Sequence, residues 1–246
     1  MGKHRLIVGP EVRHRRLARL LAVGVACIFL GGCGSSGSSG GGTVVASVAG
    51  VPVTKASLEH WARIESIVSY KVIPTEAVPK GVWPDPPNFT ACIAWLGSSA
   101  GPLESHSMSA AQRKAGCEAR LRNLKQKTLE FLVLYQWYLG EAKEKGIKVP
   151  ESEVRRNLAR FIREEMPGKF PRYLSATGMS EADALFIQRL TTYGEKVKDV
   201  ILAKPNPTEM RQALVGFTSK WVAKTDCKPG YVYPGCSQYH GSEPPP

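Results

Sequence analysis

Between Leu121 and Gly146 the sequence sets residues at alternating steps of three and four: Leu121, Leu124, Thr128, Phe131, Tyr135, Tyr138 and Ala142. That spacing predicts an α-helix with these side chains along one face. Leu129, Leu132, Leu134 and Trp137 add apolar surface around the rest of the axis, so the helix is expected to be enclosed on more than one side. The apolar run Phe131 to Leu139 is too short to cross a bilayer. Glu141-Ala-Lys-Glu-Lys makes the last turns polar, and Gly146 suits the position just past a helix end. The rest of the fold has to supply partners for this central helix.

The flanking sequence offers them. Thr43 to Val48 and Val51 to Val53, around Ala49-Gly50, predict a small hairpin. Thr54 can cap a helix with a face of Leu58, Trp61, Ala62, Glu65 and Val68, ending near Tyr70. His60 on this helix reads as a surface histidine without a partner. Five prolines between Ile73 and Asn88 predict an extended loop. Short helices are expected over Asn88 to Leu96 and from Ser109 to Cys117, the latter running into the central helix, with a small-residue loop at Gly97 to Ser107. Further helices are expected over Ser152 to Met166, over Lys169 to Ala176 with Gly178 closing it, and from Ser180-Glu-Ala-Asp183, a capping-box variant, to Ala203. Pro205 and Pro207 should break that helix, and Thr208 should cap a last one bearing Met210, Leu214, Phe217, Trp221 and Val222. The expected fold class is mainly α, with one small N-terminal β-hairpin. A hydrophobic content of 43% over 246 residues is enough for a real core.

The N-terminus reads as an address and an anchor. Met1 to Arg19 is basic, Leu20 to Leu30 is an apolar run, and Leu30-Gly31-Gly32-Cys33 follows. This order is that of a signal peptide, residues 1–32, and its end resembles a bacterial lipobox. The resemblance implies that Cys33 is lipidated and becomes the mature N-terminus, holding the protein on the extracytoplasmic face of a membrane. Arg15-Arg16 is followed by Leu17-Ala18-Arg19, which does not fit the twin-arginine pattern, so general secretion is expected. Residues 33–43 form a tether, in which the nine Gly and Ser of 34–42 reach about 15–18 Å as a random coil.

Of six cysteines, Cys27 lies in the signal peptide and Cys33 carries the lipid. Cys92, Cys117, Cys227 and Cys236 remain, an even number in an exported chain, and read as two disulfides. Three pairings are open. The local one, Cys92–Cys117 with Cys227–Cys236, is favoured because Pro-Gly turn signals flank Tyr231-Val-Tyr233 inside the short ring. No CxxC and no histidine at ligand spacing point to a metal site, and no cofactor is expected. The formal charge of +12 includes +5 from residues 1–32. A basic remainder of this size suits an anionic membrane surface or acidic polymer, but a well-spread solvated surface explains it equally. No nucleic-acid partner is expected.

Taken in order, Val45 to Leu58, Leu129 to Leu139, Glu141-Ala142, Gly146 to Val154, Phe170, Tyr173-Leu174 and Gly178 to Asp183 resemble the N-terminal chaperone domain of the SurA/PrsA/trigger-factor-like foldases. The likeness runs through residues 44–203. Residues 204–240, with Phe217, Lys220-Trp221, Cys227, Gly230-Tyr231 and Cys236, resemble the C-terminal end of secreted foldase lipoproteins. The resemblance implies a SurA-N-like helical module on which the C-terminal helix, Thr208 to Ala223, packs back against the central helix, with Tyr231 to Tyr233 near the hairpin. It leaves 241–246 as a tail. In such foldases a parvulin prolyl-isomerase domain usually separates the two segments; here Lys204-Pro-Asn-Pro207 joins them directly.

The expected function is therefore a membrane-anchored, ATP-independent chaperone that transiently binds unfolded exported polypeptides, with no catalytic residues. The alternative is a lipoprotein serving the assembly of one specific cell-envelope partner. A residual peptidyl-prolyl isomerase ranks third, and neither HExxH nor a P-loop is present to suggest another enzyme. Trp83 and Phe89, taken as exposed aromatics of the Pro-rich loop, are the candidate client contacts.

Overall fold

A computed structural model describes residues 42–71, 74 and 76–241. The signal peptide, Cys33, almost all of the tether and residues 242–246 lie outside the described residues. Strands β1 (Val44–Val48) and β2 (Val51–Thr54) form the expected hairpin, turning through Ala49 and Gly50 at φ 47° and 83°. Both turn residues are thus in the left-handed region that two-residue hairpins of this hand require.

Helix α1 (Lys55–Tyr70) starts directly from β2, and the Thr54 hydroxyl accepts from the Ser57 amide at 3.2 Å. Helix α2 (Thr90–Leu96) is followed by a single 3-10 turn at Leu103–Ser105. The central helix α3 is one unbroken element, Ala110–Glu144, of 35 residues, about 52 Å long. Ser109 and Gln112 close a capping box at its start. Then come α4 (Glu151–Glu165), α5 (Phe170–Thr177, stopped at Gly178 with φ 71°), α6 (Glu181–Leu202, with a Ser180–Asp183 capping box) and α7 (Pro207–Val222).

Two expectations need correction. Helix α7 is capped by Asn206, whose side chain accepts from the Glu209 amide at 2.9 Å, and Pro207 opens the helix instead of preceding it. Proline is at home there because the first helical amide has no partner to lose. The hairpin, moreover, is not alone. Residues after α7 form a third strand, β3 (Thr225–Cys227), and the sheet order is β2-β1-β3, antiparallel throughout. In β1, Val45, Ala46 and Val48 are buried while Ser47 is partly exposed, so the sheet turns one face to the core.

The sheet sits against the second half of α3. The indole of Trp137 donates to Thr225 Oγ1 at 2.8 Å, and that hydroxyl donates to the Trp221 carbonyl at 2.7 Å. Helix α1 runs beside α3, with Trp61 5.5 Å from Phe131 and 4.9 Å from Phe186 of α6. Helix α7 returns to the same helix, Phe217 stacking on Tyr138. The disulfide ring closes over β1: Lys228 N donates to the Val45 carbonyl at 2.9 Å, and Tyr233 is buried in the main core. Three helical partners and a sheet therefore surround α3, which accounts for apolar residues on more than one of its faces.

Candidate functional site

Both favoured disulfides form, Cys92–Cys117 and Cys227–Cys236. The first staples α2 to α3 and defines a second small core of Val82, Phe89, Trp95, Leu96 and Leu121. Phe89 belongs to that core at 7% exposure, so the expectation of an exposed client contact is overturned. The reason is local. Asp85 accepts from the Ala91 and Cys92 amides, both at 2.9 Å, and so folds the Pro-rich loop back onto the start of α2, turning the Phe89 ring inward. Burial would raise the Asp85 carboxyl, but these amides hold it below its ordinary value. Trp83 is half-buried, with the Arg63 guanidinium 4.6 Å above its ring. It covers the loop instead of presenting itself to solvent.

Two arrangements resemble catalytic ones in outline only. His60 lies 2.9 Å from Asp183 Oδ1, so it has the partner that its sequence context did not reveal, and the Ser180 hydroxyl donates to Asp183 Oδ2 at 2.7 Å. The carboxylate stands between serine and histidine, whereas a nucleophilic triad needs the histidine in the middle to take the serine proton. Asp183 is serving as the cap of α6. Gly97-Ser98-Ser99-Ala100-Gly101 has the spacing GxSxG. Its central serine is Ser99, which is exposed in a loop that follows a helix, not the strand that a nucleophile elbow requires. His60 lies on α1 while His106 and His240 lie in separate loops, and among the described residues no strand carries a histidine. Among the described residues no cluster of three or more potential metal ligands occurs.

The feature with binding potential is a cleft of about 410 Å³ at the α2 end of the molecule. Its walls are the last turn of α1 at Ser69, the loop from Pro102 to Met108, and the first half of α3. Leu96, Met108 and Leu124 give it apolar surface, and Gly116 and Ala119 keep its floor low. Beside it Leu103 is 82% exposed, and Tyr70, edge-on to Trp95 at 6.0 Å, is 41% exposed. Arg120 and Lys127 of α3 and Glu104 of the loop line it as well. Arg120 is held in place, donating from Nε to the Val82 carbonyl at 3.2 Å with its guanidinium 5.1 Å from the Trp95 ring. Burial depresses its pKa.

Compared with known proteins, the chain matches no family model, no curated protein sequence and no solved structure.

The cleft contains none of the residues expected to contact a client. Its signal in the sequence was faint: Leu103 and Met108 are the two large apolar residues in a loop of Gly, Ser and Pro. A loop that spends such residues on its surface is the pattern that could have located it.

Proposed function

We propose that this chain is a lipid-anchored, ATP-independent holder of unfolded exported polypeptides, built on a helical module of the SurA N-terminal type without an isomerase domain. The observation that carries the reading is the apolar cleft between α1, the 102–108 loop and α3. It lies near Ala119, whereas the sheet that the tether leads into lies near Trp137. The two are about 27 Å apart along α3.

Holding works by mass action. A segment that binds a surface even weakly is withdrawn from aggregation for as long as it stays there. Exposed Leu103, Met108 and Tyr70 are suited to such short-lived contact because they need not leave a core to make it.

The test is suppression of aggregation by the full chain with several unrelated unfolded clients. Activity on many supports the general holder; binding to one envelope protein alone supports the dedicated assembly factor; activity on none refutes the proposal. Cys33→Ala should release the protein from membranes. A prolyl-isomerisation rate above background would show that the missing isomerase domain is not the whole account.

A further inference from the structure

The charges on α3 divide at its middle. From Ala110 to Thr128 it carries Arg113, Lys114, Arg120, Arg122, Lys125 and Lys127 against the single Glu118. Among the described residues none of these joins an ion pair, and neither does Glu104 across the cleft. The other end of the helix is neutralised, Glu141 and Glu144 being paired with Lys220 and Lys224. Arg113 Nε is buried and has no hydrogen-bond acceptor among the described residues. Its guanidinium fills the space that a Cβ on Gly97 would need, at 2.9 Å from Nη1. The cleft itself combines apolar walls with the Arg120 guanidinium and the Lys127 ammonium, neither of them ion-paired among the described residues, and with the single carboxylate of Glu104.

Resting on the holder reading above, we infer that the cleft is the client site and that it selects polypeptide segments carrying a carboxylate beside an apolar side chain. In an extended segment, residues two apart share a face at about 7 Å. An apolar side chain can then lie against Leu96, Met108 and Leu124 while the acidic one reaches Arg120 and Lys127. The carboxylate supplies a charged acceptor in addition to the Val82 carbonyl that Arg120 already holds, in a partly desolvated place where a charge-assisted hydrogen bond is strong. A flat anionic bilayer would complement the basic half of α3 too. Arg120 is recessed in a concavity, however, where a side-chain carboxylate can enter and a planar surface cannot.

The experiment measures binding of short dye-labelled peptides to the full chain in detergent by fluorescence anisotropy. Three peptides share the same apolar residues and differ in bearing Glu, Gln or Lys two positions away. The Glu peptide should bind about tenfold more tightly than the Lys peptide at low salt, and the difference should shrink at high salt. Lys127→Glu, an exposed change, should remove most of that preference, while Leu103→Ser with Met108→Ser should weaken all three peptides alike. Equal affinity for the three peptides overturns the inference. So does a preference untouched by Lys127→Glu, or variants that lose binding to anionic phospholipid vesicles but keep that of the peptides. Aggregation assays on the same proteins separate the two claims. Suppression that ignores acidic content leaves the holder reading standing and ends this one; selective peptide binding without suppression of any client does the reverse.

Discussion

The indole of Trp221 occupies the space that a β-carbon on Gly140 would need. Helix α7 reaches α3 through this gap, and the aromatic ring, 2% exposed, lies directly on the backbone of the central helix. Gly140→Ala gains about 1 kcal/mol in helix propensity but forces the ring away. We expect a net loss of about 2 kcal/mol and a thermal midpoint lower by roughly 4–8 °C. A midpoint unchanged or raised would show that α7 is not seated as described.

Glu141 is the polar half of the same contact. It is buried at 4% exposure, and one carboxylate oxygen accepts from Trp221 Nε1 at 2.8 Å and pairs with Lys220. Glu141→Ala leaves a buried indole N–H without an acceptor and removes one of the two carboxylates paired with Lys220. The expected cost is about 2–3 kcal/mol, measured by chemical denaturation, together with a change in tryptophan near-ultraviolet dichroism. Glu141→Gln keeps an acceptor and should cost less.

Thr128 lies on the apolar face of α3 at 2% exposure, and its hydroxyl has no hydrogen-bond partner. Thr128→Val exchanges that hydroxyl for a methyl of the same shape. It should stabilise the protein by about 1 kcal/mol, seen as a higher denaturant midpoint with an unchanged slope. Destabilisation would mean that the hydroxyl has a partner in solution.

Acid should loosen the α3–α7 contact. Hydrogen bonds from Lys220 and Lys224 hold the Glu144 carboxyl down to about 2, against an ordinary value of 4.5. A depressed carboxyl contributes stability that is complete above its unfolded value and lost as pH falls toward its folded one. Thermal midpoints should therefore decline between about pH 4.5 and 2. Glu151, lowered by its hydrogen bond from Arg189, adds to the same trend. Both side chains are exposed, so the contribution is screened by salt. In Glu144→Gln the decline should be shallower; an identical decline would remove Glu144 from the explanation.

Opening Cys92–Cys117 should act locally. The ring it closes stabilises by about 3.5 kcal/mol in the chain-entropy view, and the core it staples is separate from the one beneath the sheet. With Cys92→Ser and Cys117→Ser together, hydrogen exchange should accelerate over residues 79–105 well before it does in β1 or around Trp137. Uniform acceleration would mean that the two cores unfold as one.

Much of this architecture was legible because the features that carried it are local. The three-and-four spacing from Leu121, the caps at Thr54 and Ser180, and the Pro-Gly turns around Tyr231 each act within a few residues. What escaped notice depends on neighbours distant in the chain. Thr225-Asp226-Cys227 is too short to announce a strand and becomes one only because β1 offers it an edge. Glu141 looked like the polar end of a helix, since nothing nearby indicates that Lys220 and Trp221 will cover it. His60 finds Asp183 across 123 positions. Phe89 looked exposed in a proline-rich loop until Asp85 tied that loop to α2. The cleft was hidden for the same reason: Ser69, Met108 and Lys127 meet only once α1 lies along α3.

Strand β1, near the start of the described residues, lies between β2 beside it in sequence and β3 near their other end. Any chain interrupted before Thr225 would leave Val45 and Val48 under an unfinished sheet and Trp137 without its hydroxyl acceptor. The sheet is therefore completed only by residues made late. While the chain emerges, β1 and β2 must wait, incompletely covered, for β3 to arrive, so their apolar side chains are exposed in the interval.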